Sequence, residues 1–363
     1  MSKLVLVGAD PRAHLGRHAG GVLTLSIGLI NQAAQHGIAV EIINTLRPDE
    51  GRLSLMSRLR SGWNRGRRLW VVLAEGDCQG VVIFAGTGFS FLERIGLSAI
   101  SRWFRVNDLF MIVDGWFLDI RYANQLKRWW MALLLKIPYR CGASGRRWTD
   151  TFRGLGLAEE QILEVHYWLP ESFSLSEPKQ PPPSGEPLAF LFVGWMIREK
   201  GIGEIVAAIA ELRKTYVFKF TFVGGGQLLE ELQQKIRDNG WADTVSAPGW
   251  ISDEDYQACL AAAHVFVLPS YAEGFPLSLI EAMSQGMPAI CSDVGGISDS
   301  LRDGVNGYLV APRQVAPLVA AMTRYLERPA MVTEHSQATL EMVRVNHDAA
   351  DNCRRIFTTL GLV

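Results

Sequence analysis

Short apolar runs alternate with longer stretches of helical period along the whole chain. Leu188–Val193 leads through Gly194 to a helix expected near 203–215. Phe218–Val223 leads through Gly224, Gly225 and Gly226 to a helix near 227–238. Val265–Leu268 leads through a tight turn to a helix opening at Pro276 and ending at Gly286, and strand Ala289–Ser292 follows. The N-terminal half repeats the theme: strand Lys3–Val7, a glycine-containing loop, a helix near 22–36 and strand Ile38–Ile43, with further strands expected at Val81–Phe84 and Leu109–Val113. Strands of this length between helices of roughly 10 to 14 residues predict an α/β protein with parallel sheets covered by helices on both faces. One segment fits neither period. Pro178 to Pro187 is rich in proline, which favours an extended, semi-rigid connector. It divides the chain into an N-terminal domain (1–177) and a C-terminal one (from 188), and two such units joined by a linker place a ligand cleft between the carboxyl ends of their sheets.

Composition narrows the class without changing the fold. The 363 residues suffice for two cores, and 48% hydrophobic with 20% charged residues is ordinary for a soluble protein. The richest apolar stretch, Phe110 to Leu118, is interrupted by Asp114 and Gly115 and is too short to span a bilayer. The first residues enter a strand without a signal peptide's cleavage pattern. Cys78, Cys141, Cys259, Cys291 and Cys353 are scattered, with no zinc spacing, and are expected as reduced, buried thiols. A cytoplasmic protein is therefore expected. The net charge of −1 hides an asymmetry: residues 1–185 carry 22 Lys and Arg against 16 Asp and Glu, whereas residues 186–363 carry 14 against 21. The basic half is expected to meet an anionic partner. From Gly51 to Ala74 stand Arg52, Arg58, Arg60, Arg65, Arg67 and Arg68 with no acid, interleaved with leucines, Trp63 and Trp70. This stretch reads either as a peripheral contact with anionic headgroups or an acceptor's phosphate, at the inner face of the cell membrane, or as a solvated loop and helix. Trp103, Trp129 and Trp130 extend the first option, although some of them are expected in the core. No nucleic-acid reader motif accompanies the arginines.

The most informative chemistry lies in Ser270-Tyr-Ala-Glu273-Gly-Phe-Pro-Leu-Ser-Leu-Ile-Glu281. Glu273 falls in the turn and Glu281 about a turn and a half into the following helix, so both carboxylates are expected at one pocket beside the strand's carboxyl end. The amides around Gly274, Phe275 and Leu277, with proline at the helix start and the helix dipole behind them, suit a phosphate. A phosphate seat beside two carboxylates suits a nucleotide sugar, whose hydroxyls the carboxylates accept. Two glutamates on a solvated turn and helix face remain the plain alternative. Asp253-Glu254-Asp255 is the one match to a metal-holding acid pair, but after Ser252 it reads as a helix cap and first turn, so no metal or other cofactor is expected.

Several phrases in order give the chain a family resemblance: Phe-Val-Gly-Trp-Met-Ile-Arg198-Glu-Lys200-Gly201, Phe-Val-Gly-Gly-Gly, Pro-Gly-Trp250, Leu-Pro-Ser-Tyr-Ala-Glu273-Gly-Phe-Pro, Glu281-Ala-Met-Ser-Gln-Gly-Met-Pro and Asp-Val-Gly-Gly-Ile-Ser-Asp-Ser-Leu-Arg-Asp-Gly. From residue 188 to about 312 it resembles the retaining glycosyltransferases of family 4, with two Rossmann-like domains facing each other across a cleft (the GT-B fold); the N-terminal half matches more weakly. The resemblance implies sugar transfer from a nucleotide-sugar donor with retention, a C-terminal domain at 188–345, and a segment at 346–363 that crosses back to the N-terminal domain. It implies that Glu273 contacts the donor sugar, Glu281 the ribose, and Lys200 the departing diphosphate. Donor contacts also fall on Trp250, Ile251, Gly274, Phe275, Pro276 and Leu277, and on Gly20 and Gly21 in His18-Ala-Gly20-Gly21. Two positions depart from the pattern. Trp195 stands where relatives carry arginine, leaving Arg198 as replacement or Lys200 alone. Asp114 stands where relatives place histidine, and either orients a hydroxyl or caps the turn with Gly115. The acceptor is expected to be a glycan, lipid-linked or polysaccharide. Alternatives are an epimerase of the same architecture and a non-catalytic nucleotide-sugar-binding protein; a nicotinamide dehydrogenase lacks its glycine fingerprint here.

Overall fold

A computed structural model describes residues 2–13, 21–46, 54–86, 88–113, 124–169 and 173–363. The chain divides into two compact units, Met1–Glu171 with Asp348–Val363, and Ser172–His347.

The first unit is built on the strands β1 (Lys3–Gly8), β2 (Ala39–Asn44), β3 (Cys78–Ala85), β4 (Asn107–Ile112), β5 (Arg140–Ala143) and β6 (Ile162–Glu164). All are parallel, in the order β2-β1-β3-β4-β5-β6. Its helices are α1 (Gly21–Gln35), α2 (Leu55–Ala74), α3 (Phe89–Trp103), α4 (Gln125–Leu134) and α5 (Arg146–Gly154). Leu69, Phe91, Met131 and Phe152, one from each of α2 to α5, share a core with Val81, Ile83 and Phe110 of the sheet. Each is largely removed from water, and burying such a side chain contributes about 1.5–3 kcal/mol.

The second unit carries β7 (Leu188–Val193), β8 (Phe218–Val223), β9 (Val245–Gly249), β10 (Val265–Leu268), β11 (Ala289–Ser292) and β12 (Gly307–Val310). They are again all parallel, in the order β12-β11-β10-β7-β8-β9. The helices are α6 (Ile202–Leu212), α7 (Leu229–Asp238), α8 (Asp253–Ala262), α9 (Leu277–Ser284), α10 (Val315–Glu327) and α11 (Met331–Asn346). The run Val265–Leu268 is buried on both faces, which is why it is uniformly apolar rather than alternating. Strands β5, β6, β9 and β12 escaped the sequence reading: they are three to five residues long, β5 and β12 contain glycine, and β9 carries Pro248, tolerated because β9 lies at the sheet edge.

Two boundaries differ from expectation. The proline-rich stretch 178–187 does not coincide with the division between the units, which lies at 171/172. It is fastened to the second unit instead. The Lys179 amide donates to Ser336 Oγ at 2.7 Å, its ammonium donates to the Leu260 and Ala261 carbonyls, and Thr333 donates to the Lys179 carbonyl. With prolines around it lacking N–H groups, Lys179 supplies the donors for the strap. At the other end the division falls at 347/348, and a last helix, α12 (Ala349–Leu360), packs on α1, β3 and β4 of the first unit. Gly80 of β3 allows this closeness, because a Cβ there would lie 2.9 Å from Leu360 Cβ.

Candidate functional site

In the second unit the strand order reverses between β7 and β10, the place in an open parallel sheet where the outgoing loops part and a ligand crevice opens. The loop from β7 ends in a 3-10 turn, Arg198–Lys200; the loop from β10 contains Ser270 and Glu273. Gly201 makes their meeting feasible. Its φ of 74° suits glycine, and a Cβ there would stand 2.3 Å from the Pro269 carbonyl oxygen. The Tyr271 amide donates to the Glu199 carbonyl at 2.7 Å and locks the two loops together.

The loops bring together the residues that sequence placed 73 positions apart. Lys200 Nζ lies 2.5 Å from Glu273 Oε1, and the Ser270 hydroxyl donates to the same oxygen at 2.6 Å. The Glu273 side chain is 8% exposed and that of Lys200 22%, so the pair is partly withdrawn from water while the ammonium remains reachable. Asp293-Val-Gly-Gly296, after β11, forms the seat beneath: a Cβ on Gly295 would lie 2.0 Å from the Glu273 carbonyl oxygen, and the Gly296 amide donates to the Gly274 carbonyl at 2.9 Å. In the sequence that phrase figures only within the family resemblance; in the structure it packs against and holds the Glu273 and Gly274 backbone.

Glu281 has a different partner. It sits in the second turn of α9 and its Oε2 accepts from the Tyr256 hydroxyl of α8 at 2.6 Å. Burial pushes its carboxyl above the usual range, and the Tyr256 bond pulls it back part of the way. The helix begins at Leu277, with Pro276 as its cap rather than its first residue. The expected opening at Pro276 is therefore one residue early, because Pro276 has ψ 114° and is extended, not helical. The Phe275 ring is buried and packs 5.2 Å from the His347 ring, so it serves the core.

The glycines of Phe-Val-Gly-Gly-Gly bind two loops closely. A Cβ on Gly224 would lie 2.1 Å from the Gly194 carbonyl oxygen, and one on Gly225 would meet the Trp250 indole at 2.4 Å. Trp250 meets Trp195 edge to face, with centroids 5.3 Å apart, and both rings remain exposed. Trp195, in sequence only a departure from the family pattern, thus belongs to an aromatic pair at the carboxyl ends of β7 and β9, and half-buried Ile251 follows Trp250. Arg198 is exposed, and the Tyr271 hydroxyl near it donates to Glu204 at 2.7 Å. Ser252 caps α8, its Oγ accepting from the Asp255 amide at 3.1 Å, so the acidic run occupies a first helical turn.

Among the earlier candidates, His18, Gly20, Arg52, Asp114 and Gly115 lie outside the described residues; Gly21 opens α1. The remaining arginines of the basic stretch stand on α2. Trp103, Trp129 and Trp130, some expected in the core, are 75%, 58% and 51% exposed. Their helices bury other residues, notably Leu97 and Met131, against the sheet. Among the described residues no helix is long and apolar enough to cross a membrane.

Residues 175–342 match the family model described as Glycosyl transferases group 1. Over 46% of its length the chain is 36% identical to TuaC of Bacillus subtilis (strain 168), a protein named for teichuronic acid biosynthesis, and covers 40% of it. The chain spans about half the length of the curated relatives it matches. Among solved structures, Anabaena Alr3699/HepE in complex with UDP superposes with a TM-score of 0.72 at 17% identity, covering both chains fully. Sucrose-phosphate synthase from Thermosynechococcus elongatus gives 0.77 at 19%, over 99% of this chain and 98% of that one. At these identities the likeness shows the fold, which is that of GT-B glycosyltransferases with two Rossmann-like domains.

Proposed function

We propose that this protein is a glycosyltransferase that moves a sugar from a UDP- or GDP-sugar to a glycan, lipid-linked or polysaccharide acceptor, with retention at the anomeric carbon and without a metal, on the cytoplasmic side of the membrane. The observation that carries the reading is the Lys200–Glu273 pair at the strand-order reversal of the second unit. The group 1 family match over that unit supports it, and HepE, similar in fold, was solved with UDP. In the reaction the bond from the anomeric carbon to the diphosphate oxygen breaks, and its electrons stay on that oxygen. Lys200 meets this developing charge in a site partly shielded from water, where such an interaction is strong. The acceptor hydroxyl forms the new bond on the same face and passes its proton to the leaving phosphate oxygen, so no protein nucleophile is required. Glu273, held by Lys200 and Ser270, accepts from the sugar hydroxyls; Glu281 serves the ribose. The first-turn amides of α9 receive phosphate oxygens, Trp195 and Trp250 offer a face to the base, and Arg198 adds positive charge.

The test is transfer by purified protein from UDP- and GDP-sugars in the presence of a metal chelator. Removing one preorganised charge partner costs on the order of 10²–10³ in kcat, so Lys200→Ala and Glu273→Ala should each lose that much while their circular dichroism is unchanged. Consumption of the donor without any acceptor would favour the epimerase reading. No turnover, together with no thermal shift on adding UDP or GDP, would overturn the nucleotide-sugar reading.

A further inference from the structure

Helix α2 has more apolar surface than its unit buries. Its 20 residues span about 30 Å, but only Leu69, Val72 and Leu73, at its C-terminal end, are buried. The apolar stripe does not stop there. It continues at helical spacing through Leu55, Leu59 and Trp63, which are 66%, 52% and 76% exposed. Between α2 and α3 lies an apolar groove of about 600 Å³, lined by Leu59, Trp63, Trp70, Leu92 and Ile100 and left open by Gly62, Gly66 and Gly96. At its side Trp70 stacks with exposed Trp103 at 6.5 Å. Helix α4, packed into the same core, leaves Leu126, Trp129, Trp130 and Leu133 exposed.

Charge separates this face from an ordinary sticky patch. Helices α2, α3 and α4 together contain a single carboxylate, Glu93, and it is held by Arg65 at 2.6 Å and by Arg94. Arg60, Arg67, Arg102, Lys127 and Arg128 are exposed around the apolar residues. An equally basic second copy would be repelled by such a face. Leucines and tryptophans flanked by arginines, whose stems lie along apolar surface while their heads reach outward, match the boundary between anionic headgroups and hydrocarbon.

We propose that the outer face of α2, α3 and α4 docks on an anionic phospholipid bilayer, with Leu55, Leu59 and Trp63 entering the headgroup–acyl boundary and the groove receiving an acyl chain. This goes beyond the transfer reading, and its test reads binding rather than turnover, so either can fail alone. The full chain is floated with phosphatidylcholine vesicles with or without phosphatidylglycerol, at low and high salt. It should rise with the phosphatidylglycerol vesicles at low salt and stay behind with pure phosphatidylcholine. Each basic residue near an anionic surface contributes roughly fivefold, so Arg60→Gln with Arg67→Gln should weaken binding on the order of thirtyfold. Trp63→Ser should weaken it without lowering the melting temperature, since that ring is exposed. The proposal is overturned by failure to float with phosphatidylglycerol vesicles at low salt, or by flotation unchanged in both variants. It is overturned equally by a dimer, seen without vesicles, that Trp63→Ser dissociates: the face would then be a self-association surface.

Discussion

Asp108 is an acid held where water cannot reach it. It lies fully buried at the start of β4, its Oδ1 accepting from the Tyr139 amide at 3.0 Å, and burial pushes its carboxyl up to about 6. The folded protein therefore keeps that proton to higher pH than the unfolded chain, whose carboxyl titrates near 3.8. Stability from this group is fully present below the unfolded value and is lost as pH rises through about 6; a two-unit shift corresponds to roughly 3 kcal/mol. Urea unfolding at a series of pH values should show this loss, and Asp108→Asn should flatten it. Had wild type and variant parallel profiles from pH 4 to 7, the burial account would be wrong. Asp108 could not be singled out in the sequence, because one acid in an apolar strand differs from any other only through what covers it. Lys200 and Glu273 were readable, since glycine and proline neighbours mark their loops; Ser270 and Tyr256, the hydroxyls that orient the two glutamates, were not, because nothing in their spacing ties them to a carboxylate.

At the scale of elements, glycines decide how closely the loops approach. Gly201 holds a left-handed conformation with its missing side chain against the Pro269 carbonyl. Gly201→Ala should therefore cost at least about 1–2 kcal/mol from conformation alone, plus the separation of the β7 and β10 loops, visible as a lower urea midpoint and, on the proposed function, as a loss of transfer larger than the stability change explains. Strands buried on both faces, such as β7 and β10, were legible as unbroken apolar runs. The four strands overlooked are short, and at such lengths glycine and proline hide the pattern that pairing with a neighbour restores. Helix α2 was half legible. Its arginines and tryptophans stood out, but the sequence could not say which end of its apolar stripe the sheet covers, and that distinction carries the docking proposal.

For the molecule as a whole, two units were legible from the repeated alternation, while the place of their division was not: a run of prolines resembles a connector whether or not Lys179 fastens it down. Helix α12 supplies the first unit with Cys353, Ile356, Phe357 and Leu360, all essentially inaccessible to water. Ile356, Phe357 and Leu360 alone contribute on the order of 5–9 kcal/mol, comparable to a typical domain's net stability. Removing residues 348–363 should abolish the first unit's calorimetric transition, and Phe357→Ala alone should destabilise it by about 3–5 kcal/mol. A truncated chain with an unchanged thermogram would contradict this. During synthesis the consequence is one of timing: the unit whose residues leave the ribosome first is the last to close, because its final helix is translated only after the other unit is complete. Until then the face of β3 at Gly80, which Leu360 covers in the finished fold, stands open to non-native contacts.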